Sequence, residues 1–266
     1  MKIYILTDFE GVGGVVNRSQ VMAGSAAYEK AREWLTTDVN AAVEGAIEGG
    51  ATEVVVLDAH GANGAVNFIY DKLHSAARYI QGTPWIDYPQ GLDDSYDAML
   101  QVGVHAMAGT PGAILEHTMS SLSWVEMTIN GKPMGEIGLT TAIAGECGIP
   151  LAMVSGDDKA CREAQTVSPH VECAIVKEGI SRHCAKLLPQ SEVHRLIHEK
   201  ARLGVAKAKR LEPFVIDGPV EVQIEYFRNE TVDELKEREG VKKIGPRRVA
   251  YTGDTVREAI WHVWGA

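Results

Sequence analysis

Three short apolar runs in the first 105 residues, Lys2 to Thr7, Glu53 to Leu57 and Met99 to Val104, each lead into a carboxylate or an imidazole: Asp8 and Glu10, Asp58 and His60, and His105. Runs of this length rich in Val, Ile and Leu read as buried strands. Between the first two, Ala31, Trp34, Leu35, Val39, Ala42, Val43 and Ala46 recur at helical spacing, and Gly49-Gly50 ends the pattern. A strand, a helix over about Ser25 to Glu48 and a second strand make one βαβ unit. Parallel strands share the direction of their ends, and open α/β sheets bind ligands along that edge. The pattern therefore predicts that Asp8, Glu10, His60 and His105 converge.

The rest of the chain continues the alternation. A strand is expected at Ala77 to Gln81, a hairpin at Trp124 to Met134 around Asn130-Gly131, and a helix from Glu136 to Cys147. A strand at Leu151 to Ser155, a helix capped by Gly156-Asp157-Asp158, a strand at Val171 to Val176 and a helix over about Ser191 to Ala206 follow. Beyond the break near Arg210 to Pro219 the pattern becomes strand, helix, strand, helix at Val220 to Phe227, Val232 to Arg238, Lys243 to Tyr251 and Thr255 to Trp264. The expected class is α/β, with a mostly parallel sheet and flanking helices in residues 1–209 and a smaller α+β region in residues 210–266.

A chain of 266 residues with 45% apolar content can bury a large core. Its formal charge of −10 argues against nucleic acid or an anionic membrane as partner, because either needs a clustered positive surface. No apolar run approaches the roughly 18 to 20 residues that span a bilayer, and the chain opens on a core strand, so a soluble cytoplasmic protein is expected. Cys147, Cys161, Cys173 and Cys184 are widely spaced without a C-x-x-C pair and read as small buried hydrophobes.

Asp8 and Glu10 lie two apart, so on a continuing strand they share a face. Carboxylates so close repel unless a cation lies between them. The local alternative is that both are solvated loop residues, or that Asp8 caps the next helix. His60 repeats the arrangement on the neighbouring run, with Asp58 either orienting its ring or turning into the loop; His105 repeats it again. Oxygen and imidazole donors without thiolate favour Zn²⁺, with Mn²⁺, Co²⁺ or Fe²⁺ as other occupants. Four or five ligands exceed the three that a single catalytic zinc takes from the protein, so two bridged ions are expected. Glu136 lies between Gly135 and Gly138 at a helix start, either a capping anion or a further ligand. His117 is a spare ligand, a general acid or base, or a surface residue.

Together these residues resemble the dinuclear metallopeptidases of the D-aminopeptidase family, peptidase family M55. The resemblance rests on Thr7-Asp8-Phe9-Glu10-Gly11-Val12-Gly13, Asp58-Ala59-His60-Gly61, Gly103-Val104-His105-Ala106, Thr110-Pro111-Gly112, His117, Gly135-Glu136-Ile137-Gly138, Gly156-Asp157-Asp158 and Lys177 through Ser181-Arg182. It covers about the first 185 residues and fades beyond Arg210. Two departures from the family pattern stand out: the His105 to His117 segment is one residue longer, and Thr140 stands where asparagine is expected. The resemblance implies two Zn²⁺ per chain held by Asp8, Glu10, His60, His105 and Glu136, with His117 as the nearby catalytic residue. It also implies a ring-stacked homodecamer acting on short peptides.

The function expected is removal of N-terminal residues, D-amino acids included, from short peptides. Two rivals are a metal-dependent hydrolase of another amide or of a phosphoester, and a non-catalytic module that captures peptides or amines.

Overall fold

The structure is a computed structural model that describes residues 1–61, 64 and 66–264. In chain order it comprises β1 (Lys2–Thr7), α1 (Ala26–Glu48), β2 (Glu53–Asp58), β3 (Arg78–Ile80), β4 (Ala98–Val104), β5 (Trp124–Ile129), β6 (Lys132–Pro133), α2 (Glu136–Glu146) and β7 (Leu151–Asp157). Then come α3 (Asp158–Val167), β8 (Glu172–Ser181), β9 (Cys184–Leu187), α4 (Gln190–Lys207), β10 (Val220–Tyr226), α5 (Glu230–Glu234), β11 (Val241–Lys243), β12 (Arg248–Gly253) and α6 (Val256–Trp264).

Seven strands form one sheet in the order β3-β2-β1-β4-β7-β8-β9, parallel except for the β8–β9 hairpin at one edge. Every residue of β4 and β7 is buried, as expected of central strands covered on both faces. On one face Ile3, Ile5, Val54 and Val56 meet Leu35, Val39 and Val43 of α1 and Ile197 and Val205 of α4. On the other, Tyr4, Leu57 and Val154 share a core with Ile137 and Ile143 of α2, Ala160 of α3, and a second sheet. That second sheet is antiparallel, in the order β11-β12-β10-β5-β6, so the early hairpin pairs with the strands after residue 210. The expected class, α/β with a mostly parallel sheet and flanking helices, is the one observed, and the strands after residue 210 share their sheet with β5 and β6.

Three local expectations are corrected. Lys243 to Tyr251 is not one strand: Arg248 N–H donates to Gly245 and Ile244 N–H to Arg248, closing a turn at Pro246, which has no N–H to continue a ladder. The helix expected over Val232 to Arg238 is only the single turn α5, after which Leu235 is extended. The strand expected to stop at Val176 runs to Ser181 and folds back as β9, which brings Lys177 under the first loop.

The sheet's functional edge closes because two glycines remove side chains there. Asp8 N–H donates to Val102 and Gly11 N–H to Gly103, pressing the chain after β1 onto the end of β4. A Cβ at Gly11 would lie 2.0 Å from the Val104 carbonyl oxygen; Gly103 has φ +75° and a Cβ there would lie 2.4 Å from the Asp8 carbonyl oxygen. Gly11→Ala is therefore expected to cost about 2 to 4 kcal/mol of stability. Gly61→Ala, where a Cβ meets nothing within 4 Å, should stay within about 0.5 kcal/mol. Urea denaturation of both variants checks this, and equal midpoints would contradict it.

Candidate metal centre

The chain leaves β1 for β2 and β3 on one side and returns to β4 on the other, so the sheet's switch point lies between β1 and β4. Asp8 directly follows β1, His60 is two residues past β2, and His105 directly follows β4. Glu136 is the first residue of α2, and His117 comes from the loop between β4 and β5. All meet at one place. Asp8 Oδ1 is 3.0 Å from His60 Nδ1, while its Oδ2 is 3.2 Å from His105 Nε2. Glu10 Oε2 is 3.2 Å from the same His60 nitrogen, and Glu136 Oε1 is 3.3 Å from His105 Nε2 and 3.9 Å from His117 Nε2. Two donor triads result, Asp8-Glu10-His60 and His105-His117-Glu136, with ligand atoms within 4.8 Å of one another in each. The Asp8 carboxylate reaches into both.

Backbone carbonyls decide which ring nitrogens face this cluster. His60 Nε2 lies 2.7 Å from the Val21 oxygen, His105 Nδ1 2.9 Å from the Ala106 oxygen, and His117 Nδ1 2.9 Å from the Leu115 oxygen. A carbonyl only accepts, so each of these nitrogens carries its hydrogen. His60 Nδ1 and the Nε2 atoms of His105 and His117 are left facing the carboxylates.

Electrostatics here are a contest between burial and pairing. Burial opposes charge on His60 and His105, but Glu10 and Asp8 around the first ring and Glu136 and Asp8 around the second outweigh it, holding both well above the usual imidazole range. Burial would likewise raise Asp8, yet the facing His105 and His60 rings hold it well below the ordinary carboxylate range. The cluster strongly favours positive charge between its carboxylates. Two buried atoms, Glu10 Oε2 and His105 Nε2, nevertheless lack a properly oriented hydrogen-bond partner. Orphaned donors of oxygen and imidazole type, facing each other across a few ångströms, fit a divalent cation such as zinc.

A model of peptidase family M55, described as D-aminopeptidase, matches residues 1–264. The chain belongs to this family. A D-aminopeptidase of Bacillus subtilis is 36% identical over 214 residues, covering 80% of this chain and 77% of that protein. The solved structure of a zinc-dependent D-aminopeptidase from Bacillus subtilis, described as a self-compartmentalizing protease, superposes with a TM-score of 0.92 at 31% identity, covering 99% of this chain and 95% of that one. The family match thus extends well past residue 185, where the resemblance in sequence motifs ends. An antiparallel sheet keeps its fold under extensive exchange of apolar residues.

Several supporting parts of this candidate site carry no sequence signal of their own role. Lys177, fully buried on β8, donates from Nζ to the carbonyls of Glu10, Val12 and Val15 at 2.6, 2.8 and 2.6 Å, fixing the glycine loop that carries Glu10. Burial pushes its amine down to about 7. Asp58 turns away from the His60 ring: it accepts from the backbone and side chain of Asn67, whose amide in turn holds the His60 carbonyl. Glu163 on α3 accepts from Met107 N–H at 2.7 Å and packs beside Gly135, bracing the segments that carry His105 and Glu136. The donors open into a cavity of about 290 Å³ whose wall includes Arg18, Met22, Met119 and Ser121. Beyond it lies an apolar annexe of about 430 Å³ formed by Pro84, Trp85, Tyr88, Met119, Trp261 and Trp264. Among the remaining histidines, His74, His194 and His198 pair with Glu44, Asp38 and Glu48 away from the centre.

Two variants test this frame. Lys177→Met leaves three buried carbonyls without their donor and should cost about 2 to 4 kcal/mol, measured by urea denaturation. Glu163 titrates in a defined direction, because burial raises its carboxyl from 4.5 to about 7. Below the lower value both folded and unfolded chains hold the proton. Between the two the folded chain holds one more, so this group's contribution to stability falls as pH rises and is lost above 7. Glu163→Gln should therefore match the wild type near pH 4 and exceed it by about 2 kcal/mol at pH 8. A stability difference that does not change with pH would contradict the assignment.

Proposed function

We propose that this chain is a two-zinc aminopeptidase that removes N-terminal residues, D-amino acids included, from short peptides. Asp8, Glu10, His60, His105 and Glu136 are the proposed ligands and His117 the catalytic residue. The observation that carries this reading is the Asp8 carboxylate, one oxygen toward His60 and the other toward His105, linking two donor sets. When bound, a pair of zinc ions supplies positive charge that polarises a scissile carbonyl and makes nearby water more acidic.

The protein's own residues perform the remaining tasks. A free α-amine has a lone pair and N–H groups to offer this cavity, whereas an acylated nitrogen has given its lone pair to the neighbouring carbonyl. His117 is held by its Nδ1–H on the Leu115 carbonyl and presents Nε2 to the cavity. That nitrogen can take a proton from the attacking water and return it to the departing amine. The ring stacks on His105 with centroids 4.0 Å apart, which limits its rotation.

The likeness to a self-compartmentalizing protease supports homo-oligomeric assembly, for which a ring-stacked decamer is our reading. No helix among the described residues is long and apolar enough to cross a membrane, and we assign the enzyme to the cytoplasm.

A chelator should abolish hydrolysis of free-amine aminoacyl amides and zinc should restore it, with N-acetylated counterparts untouched throughout. Replacing His117 by alanine should lower kcat by about 10² to 10³ while zinc content stays at two per chain. Turnover by metal-free enzyme would refute the reading; loss of one zinc in the His117 variant would make that residue a ligand instead.

A further inference from the structure

Gln101 is an unexpected residue in the middle of β4: it is 0% exposed, pairs in register with Leu6 of β1, and lines the catalytic cavity. Hydrogen-bond accounting fixes the orientation of its carboxamide. The Thr140 hydroxyl donates to the Glu136 carbonyl at 2.7 Å, and the Thr141 hydroxyl donates to the Ile137 carbonyl at 2.6 Å. Each hydroxyl has one hydrogen, so both can only accept from elsewhere. Gln101 Nε2 supplies that donation, at 2.8 Å to Thr140 and 3.2 Å to Thr141, with the Ile137 carbonyl at 3.3 Å. The amide nitrogen is thereby committed to α2. Its oxygen, Oε1, is buried and has no partner in the protein. A carbonyl oxygen in that condition costs about 1 to 3 kcal/mol unless a donor arrives from the cavity.

We propose that Gln101 Oε1 receives an N–H of the substrate's free α-amine. The proposal rests on the aminopeptidase reading above and adds to it the group that recognises the amine. The cavity wall around Gln101 contains Leu6, Val104 and Thr140, exposed by 6, 4 and 2%. Leu6 pairs with Gln101 in register and Thr140 accepts from its amide, so this stretch of wall is shielded from solvent. A shielded end takes a group at which the peptide stops, either the free amine or the tip of the first side chain, and only the amine brings an N–H donor in every peptide. An amine that gives its lone pair to a cation still has N–H groups to donate, and Gln101 is the unpaired acceptor that the floor presents. An acylated nitrogen brings a carbonyl and further atoms into the same space, so the geometry also selects against blocked N-termini.

The test compares two ligands on zinc-loaded protein by calorimetry: alanine hydroxamate, and propionohydroxamate, which lacks only the amine. Wild type should bind the amine-bearing ligand more tightly. In Gln101→Met, of similar shape but without the acceptor, that preference should fall about tenfold, while propionohydroxamate affinity changes less than twofold. Gln101→Glu should retain the preference, because the Thr140 and Thr141 hydroxyls can turn to donate to one carboxylate oxygen and leave the other to the cavity. Gln101→Leu takes the place of the Met variant if the latter does not fold. An unchanged preference in Gln101→Met, or equal weakening of both ligands as for a purely structural or water-binding residue, overturns the assignment but leaves the aminopeptidase reading standing. Absence of any preference in the wild type overturns both.

Discussion

The structure turns on one carboxylate, Asp8, divided between imidazoles from two different strands. Three carboxylates this close, Asp8 and Glu10 buried and Glu136 half-buried, are electrostatically untenable without compensating positive charge, and removing one partner of such a set leaves the others unpaired. Imidazolium protons supply that charge at low pH. A cation supplies it once those protons leave, so metal binding and proton release are two sides of one equilibrium. The surrounding architecture serves this arrangement: Gly11 and Gly103 let β1 and β4 close together, three carbonyls set the ring tautomers, and Lys177 ties down the loop bearing Glu10.

Much of this was legible in the sequence because parallel strands convert a linear pattern into a spatial one. An apolar run followed at once by a polar donor marks a strand end. Three such runs on adjacent strands place their donors along one edge, and Asp8, Glu10, His60 and His105 do meet there. Glu136 and His117 were harder, since each depends on how a long connection returns to the sheet. The Asp58 ambiguity was real: only coordinates reveal that Asn67, nine residues on, takes its carboxylate.

What the sequence concealed has a common cause. The partners of His60, His105, His117 and Lys177 are backbone carbonyls, and a carbonyl is present at every residue whatever its type. Gln101 was invisible for a related reason: one polar residue in an apolar strand carries no hint that its nitrogen is occupied and its oxygen free. The aromatic annexe joins a loop near residue 85 to α6, more than half the chain apart, so no local pattern announces it. The Lys243 to Tyr251 strand failed locally, where Pro246 turns the chain.

A whole-chain structural match at 31% identity fixes the scaffold, while the donor distances come from this chain's own residues. The most direct test of the central claim is anomalous diffraction at the zinc edge from crystals of zinc-loaded protein. The account predicts two peaks per chain, one on either side of the Asp8 carboxylate. A single peak, or peaks remote from Asp8, would contradict it.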